Sequence, residues 1–145
     1  MAEKKNGVVQ IYCNSEEKKL WSIYYIFNGK KEGVFKQYYQ NGQLEIIRNY
    51  KNNELNGEYK LYYRSGQLWR IWNYINNKKE GEYKLFYNDG QILETGNYKN
   101  NKSEGEFKTY WNNGQLRSTR NYKNGKIYGE YKEYTDTGLE VRCIY

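Results

Sequence analysis

Few residues in this chain could do covalent chemistry, and most of them recur at fixed intervals. There is no histidine, so no imidazole is available as a general base or metal ligand near neutral pH. The only aspartates are Asp89 and Asp136. They sit in NDG and TDTG, where a short carboxylate side chain serves a turn. Glu58, Glu82, Glu106 and Glu130 recur every 24 residues, as solvated strand residues would, rather than as a matched acid and base. Cys13 and Cys143 stand near opposite ends of the chain. No nucleophile–histidine pair, metal-ligand cluster, Walker loop or GxGxxG occurs. The spacing therefore predicts a non-enzymatic protein, with no catalytic, cofactor-binding or metal-binding residue and no cofactor.

What remains is recognition. Lys36, Lys60, Lys84, Lys108 and Lys132 form a basic column flanked by aromatics. Such a stripe can contact phosphates and stack bases, but the glutamate column two residues away on the same face cancels much of its field. The net charge of +7 permits an acidic protein, a nucleic acid or an anionic membrane surface. The columns that vary most read Glu45-Ile46-Ile47-Arg48, Trp69-Arg70-Ile71-Trp72, Leu93-Glu94-Thr95-Gly96 and Arg117-Ser118-Thr119-Arg120. In a repeat array, specificity comes from positions that break the consensus, and Trp and Arg are common interface anchors. Ile46, Arg48, Trp69, Arg70, Trp72, Arg117 and Arg120 are therefore the candidate partner-binding residues. Trp69 and Trp72 lie three apart and would face opposite sides of a regular strand, one packing and one exposed. Which is which stays open.

The elements that position these residues are tandem repeats. Gly33, Gly57, Gly81, Gly105 and Gly129 are spaced by 24, as are Gly42, Gly66, Gly90, Gly114 and Gly138. Four full units span 33–56, 57–80, 81–104 and 105–128; a degenerate unit at 7–32 precedes them and a truncated one at 129–145 follows. Each unit holds a first strand (EYKLYY, 58–63), a turn (QNG, RSG, NDG or NNG), a second strand (LWRIWNY, 68–74) and a polar return segment (INNKKEG, 75–81). Asn-Gly and Asp-Gly suit tight hairpins because both central residues tolerate positive φ. Mean hydropathy is −1.19, yet 19% of residues are aromatic and proline is absent. Order must come from tyrosine and tryptophan area, in strands that proline would interrupt. The third column (Phe35, Tyr59, Tyr83, Phe107, Tyr131) and the sixth (Tyr38, Tyr62, Phe86, Tyr110, Tyr134) point to opposite faces unless a bulge intervenes. Both faces then carry aromatics, which suggests a bent or coiled sheet.

Residues 1–145 thus read as a single all-β domain, an elongated, twisted antiparallel meander of tandem β-hairpins. No apolar run is long enough for a transmembrane helix and no signal-type apolar stretch opens the chain, so a cytoplasmic protein is expected. Ten or so strands at about 4.8 Å put the two cysteines on the order of 50 Å apart, too far to bridge. An open meander leaves two edge strands. Leu139 to Tyr145 forms one, and either end could pair with a second copy or a partner strand. The apolar WSIYYIF (21–27) is expected to cap the first layer.

The pattern G-E-[YF]-K-x-[YF]-[YW]-x-x-G-Q-[LI]-x5-N-Y-K-N-x-K-x-x-G over residues 33–145, and more weakly over 7–32, resembles the MORN-repeat variant family. The resemblance implies one hairpin per repeat and a scaffold or adaptor role with another protein as partner. It also implies, for some members, an antitoxin or immunity-type inhibitor; membrane-lipid binding, proposed for MORN arrays, is not a general role, and the Asn-rich loops and Gly-Gln-Leu second-strand start of this unit depart from the longer-known motif and weaken its transfer. The leading expectation is a protein–protein interaction module. The alternative is a nucleic-acid-binding or membrane-surface-binding repeat protein.

Overall fold

The computed structural model describes residues 6–12 and 19–141. Thirteen strands form one antiparallel sheet. They are β1 (Gly7–Tyr12), β2 (Leu20–Phe27), β3 (Lys30–Tyr38), β4 (Leu44–Lys51), β5 (Glu54–Tyr62), β6 (Leu68–Ile75), β7 (Lys78–Phe86), β8 (Ile92–Lys99), β9 (Lys102–Ser103), β10 (Gly105–Tyr110), β11 (Leu116–Lys123), β12 (Lys126–Tyr134) and β13 (Glu140–Val141). Strands follow chain order across the sheet, with β9 pairing β8 beside β10. At about 4.8 Å per strand the path is about 50 Å long. The expected all-β meander of tandem hairpins is what the chain forms. No helix occurs among the described residues. Cys13, Cys143 and the end of the expected last strand lie outside the described residues.

Two kinds of turn alternate, and their chemistry is the reverse of what the sequence suggests. The within-repeat turn is a three-residue loop. In the first full unit the Tyr39 amide donates to Gln43 O at 2.8 Å and the Gly42 amide to Tyr39 O at 2.9 Å. Only the glycine has positive φ, 85° at Gly42. Asn41 stays at negative φ and its Oδ1 accepts from the Gln43 amide at 3.1 Å. A three-residue loop needs one left-handed residue after a type I turn, not two. The two-residue turns with both residues left-handed are the return turns: Asn52–Asn53 (φ 53° and 72°), Asn76–Asn77 (48° and 64°) and Asn100–Asn101 (51° and 68°).

Each return turn is tied to the one before it. The Asn77 amide donates to Leu55 O at 3.0 Å, and the Leu55 amide donates back to Asn77 Oδ1 at 2.7 Å. The same exchange links Asn53 with Lys31 and Asn101 with Lys79. Glu32 and Glu80 accept the amides of Asn52 and Asn100. On the opposite rim the Tyr39, Tyr63 and Tyr87 hydroxyls donate to the carbonyls of Tyr62, Phe86 and Tyr110 at 2.7, 2.8 and 2.9 Å. Successive hairpins are thus locked at both rims and through the strand ladder.

The return segment is shorter than the sequence implies. Lys78–Gly81 belongs to β7, not to a turn. What breaks the pattern there is a register irregularity at the unit's first glycine, which adopts φ 72° at Gly33, 108° at Gly57 and 83° at Gly81. That backbone suits glycine and few other residues. A second irregularity recurs between Gln37/Tyr38, Leu61/Tyr62, Leu85/Phe86 and Thr109/Tyr110. It inserts one extra residue into the second strand: Glu45, Trp69, Leu93 or Arg117.

The two faces differ. One, the packed face, holds Phe35, Trp72, Tyr83, Leu85 and Phe107, all 8% exposed or less. The other, the charged face, carries Lys36, Lys60, Lys84, Lys108 and Lys132 in one cross-strand row alternating with Ile or Thr. Its third row sets the sixth-column aromatics against the twelfth-column aliphatics, as in Tyr62 opposite Leu68. Both faces therefore carry aromatics. The apolar stretch 21–27 lies in β2, between β1 and β3. It is an interior strand, and Tyr24 stacks on Phe35 at 5.6 Å to begin the packed layer. Among the described residues the N-terminal edge is β1, with Val8 64% exposed.

Candidate interaction surface

The packed face is built around a row that runs across the strands. Phe35 pairs Arg48, Arg48 pairs Tyr59, Tyr59 pairs Trp72, Trp72 pairs Tyr83, and Tyr83 pairs Gly96. Arg48 lies 4.2 Å over the Phe35 ring. Tyr59 and Trp72 stack at 5.0 Å with ring planes 6° apart. Trp72 meets Tyr83 at 6.3 Å. Beyond Gly96, Tyr83 contacts Phe107 at 6.3 Å and Phe107 meets Tyr122 edge-on at 4.9 Å. Arg120 lies 4.7 Å over Tyr131. Aromatic pairs of this kind contribute about 0.5–1.5 kcal/mol each beyond area burial, so a one-layer sheet of polar composition acquires a core.

The seven candidate residues share this face. Ile46 and Arg70 occupy one cross-strand row, joined through Leu61. Arg48 and Trp72 occupy the next. Trp69 and Trp72 do not face opposite sides. The extra residue at Leu61/Tyr62 breaks the alternation, so Trp69 packs against the cluster that Trp72 forms with Tyr83, Leu85 and Phe107. Trp72 is buried and Trp69 half-buried. Trp69 contacts Tyr63 at 5.7 Å and carries the Arg70 guanidinium at 4.7 Å. Arg117 lies 4.4 Å over Trp111.

Two depressions open on the same face. One of about 550 Å³ is walled by Tyr39, Tyr63, Arg64, Ser65, Trp69 and Asn88. The other, of about 390 Å³, has Arg117 and Arg120 in its wall. It exists because Thr109 and Ser118 stand where other repeats place larger side chains. Their hydroxyls bond each other at 2.7 Å on its floor. Glu94 also lines it. Burial holds the Glu94 carboxyl above the usual carboxylate range, against the pull of Arg70 and Arg120. Burial, helped by Glu94, pushes the Tyr83 phenol up to about 12.

Asp89 Oδ1 accepts the Gln91 amide at 3.0 Å inside its turn. Among the described residues no group of three His, Cys, Asp or Glu side chains could hold a metal ion, and no helix is long and apolar enough to cross a membrane. On the charged face Lys60, Lys84, Lys108 and Lys132 pair with Glu58, Glu82, Glu106 and Glu130 at 2.7, 3.1, 2.8 and 3.6 Å. That stripe neutralises itself. Sequence reasoning missed the seventh column, whose hydroxyls bridge repeats, and missed Lys31 and Lys79. Both lysines lie in segments read as polar turns, yet their ammonium groups sit over packed-face rings. Their signal was positional: they stand two residues before the glycine of each period.

A family model described as MORN repeat variant matches residues 31–52, 55–76, 79–100 and 103–124, more than half of the chain and one hairpin per match. No curated protein matches the chain. Among solved structures, the crystal structure of TarM aligns with 83% of this chain and 20% of that one, at 13% identity and TM-score 0.44. A point mutant of S. aureus TarM in complex with Fondaparinux, alpha-GlcNAc-glycerol and UDP aligns with 83% of this chain and 21% of that one, at 12% identity and TM-score 0.45. The chain thus spans about a fifth of the length of these two structures.

Proposed function

Because the chain belongs to the MORN repeat variant family, whose repeats are commonly protein- or membrane-binding modules and generally non-catalytic, we propose that it is a protein–protein interaction module that docks its partner on the packed face. One observation carries this reading. The recurring extra residue in each second strand turns the most variable columns toward a single face: Glu45, Trp69, Leu93 and Arg117, beside Ile46, Arg70, Glu94 and Ser118. The chemistry that differs between repeats is gathered there, while the opposite face repeats the same Lys–Glu pair in the four units that begin at Gly57, Gly81, Gly105 and Gly129. Repeat arrays that bind do so through such an extended, individualised surface. The finer role we propose is a stoichiometric inhibitor of the antitoxin or immunity type, or a scaffold, acting in the cytoplasm. Two rims of inter-repeat hydrogen bonds keep the surface rigid, which lowers the ordering cost of association.

The test is affinity capture from the native source with the full chain, followed by mass spectrometry. Wild type should retain one protein at fixed stoichiometry. A Trp69→Ala, Arg117→Ala double variant should lose it while keeping its circular dichroism. Retention by that variant at wild-type level would refute docking on the packed face.

A further inference from the structure

The packed face holds four cations that no carboxylate pairs with at ion-pair distance, although Glu94 pulls on Arg70 from two strands away. Lys31 Nζ lies 5.5 Å from the Phe35 ring centre and 5.3 Å from that of Tyr50, and Arg48 covers the same two rings at 4.2 and 5.8 Å. Farther along, Lys79 Nζ lies 4.8 Å from Trp72 and 5.1 Å from Tyr98, with Arg70 beside it on Trp69. The ion pairs of Lys60, Lys84, Lys108 and Lys132 lie on the charged face. Of the packed-face acids in this half, Glu45 is held by Gln37 Nε2 at 2.9 Å. Arg48 Nε and Arg70 Nε are buried without a partner. Burial and the neighbouring Arg70 hold the Lys79 ammonium below the usual lysine range. Aromatic rings offset part of the cost of drying a cation; a carboxylate would offset more.

Deepening the reading above, and resting on it, we infer that the N-terminal half of this face receives an acidic, partly apolar segment of the protein partner, its carboxylates meeting Lys31, Arg48, Arg70 and Lys79. From β3 to β7 the cations span four strand spacings, about 19 Å, the reach of about six extended residues. Leu55, Leu61 and Ile46 lie between them, so the ligand must alternate charge with apolar side chains. A polypeptide does this. A nucleic-acid strand carries a charge on every nucleotide and needs open ring faces for its bases. Here the Tyr59 and Trp72 faces are taken by each other, and the Phe35 and Trp72 rings carry the chain's own cations.

The experiment uses the full chain and a fluorescein-labelled peptide of glutamates interleaved with leucines, read by anisotropy. Oligo(dT) and vesicles of phosphatidylserine in phosphatidylcholine serve as parallel probes. Two variants remove equal charge: Arg70→Gln with Lys79→Gln on the packed face, and Lys84→Gln with Lys108→Gln on the charged face. The first pair should weaken peptide binding roughly tenfold and the second less than about twofold. If the packed-face pair lowers the melting temperature, half-exposed Lys79→Gln alone is read, with about a threefold loss expected. Equal weakening by both pairs would reduce the effect to net charge and overturn the inference. So would absence of peptide binding, or tighter binding of oligo(dT) or vesicles through the same residues. Failure of these probes while the Trp69→Ala, Arg117→Ala variant still loses the captured protein would sink this inference and leave the docking reading standing.

Discussion

Gly96 lies directly under the Phe107 ring: a Cβ built on the glycine would come within 2.4 Å of two ring carbons. The equivalent positions in the other repeats are Arg48, Trp72 and Arg120, each stacked on an aromatic of the third column. At Gly96 the side chain is missing and Phe107 lies in its place, bridging Tyr83 and Tyr122. The aromatic row is therefore continuous across a position with no side chain of its own.

Gly96→Ala should destabilise the chain by about 1–3 kcal/mol, the usual range for overpacking a tight contact. The added methyl must displace Phe107, which is 6% exposed. Urea unfolding followed by tryptophan fluorescence measures it. A variant as stable as wild type would mean that the ring turns aside freely and that the contact is not part of the core.

The return turns give a prediction with an internal control. Asn77 supplies both a left-handed backbone at φ 64° and the Oδ1 that accepts the Leu55 amide. Asn77→Gly keeps the backbone preference and should cost about 1 kcal/mol, one lost hydrogen bond. Asn77→Ala adds left-handed strain of about 1–2 kcal/mol. The gap between the two variants in chemical denaturation isolates the strain. Equal losses would place the whole effect in the hydrogen bond.

Tyr63→Phe removes one hydroxyl and leaves the ring. Its donation to Phe86 O at 2.8 Å joins adjacent hairpins. The loss should be about 0.5–1.5 kcal/mol. Because repeats touch only their neighbours, it should show as faster amide exchange near Phe86 rather than evenly along the chain. Uniform acceleration would indicate a global loss, and no acceleration a bond of no consequence.

The hairpin period, the strand content and the lysine–glutamate face were legible because each follows from one repeated residue type at one spacing. The assignment of Trp69 and Trp72 to faces was not. Alternation of side chains holds only where pairing is regular, and the inserted residue at Trp69 is invisible in a sequence whose period stays at 24. Asn76–Asn77 and the Asn41–Gly42 turn were exchanged in type for a related reason. Asn-Gly satisfies several turns, and loop length, set by how far the ladder closes, chooses among them. Lys31 and Lys79 were hidden because polar residues before a glycine read as loop, although the glycine here marks an irregularity inside a strand.

The buried tyrosines predict unfolding in alkali. Burial holds the phenols of Tyr59, Tyr63, Tyr83 and Tyr98 above their ordinary value, with Tyr83 at about 12. In the unfolded chain each ionises near 10. A raised folded-state pKa means the folded form holds its proton longer, so this contribution to stability is fully present below about pH 10 and falls as pH climbs toward 12. Tyrosinate absorbance should rise in two phases: exposed phenols first, then the buried set in step with loss of the circular dichroism. Tyr83→Phe removes the largest of these penalties and should move the second phase to higher pH. If all tyrosines titrated in a single phase near pH 10 while the sheet stayed intact, the packed face would have to be far wetter than its ring contacts require.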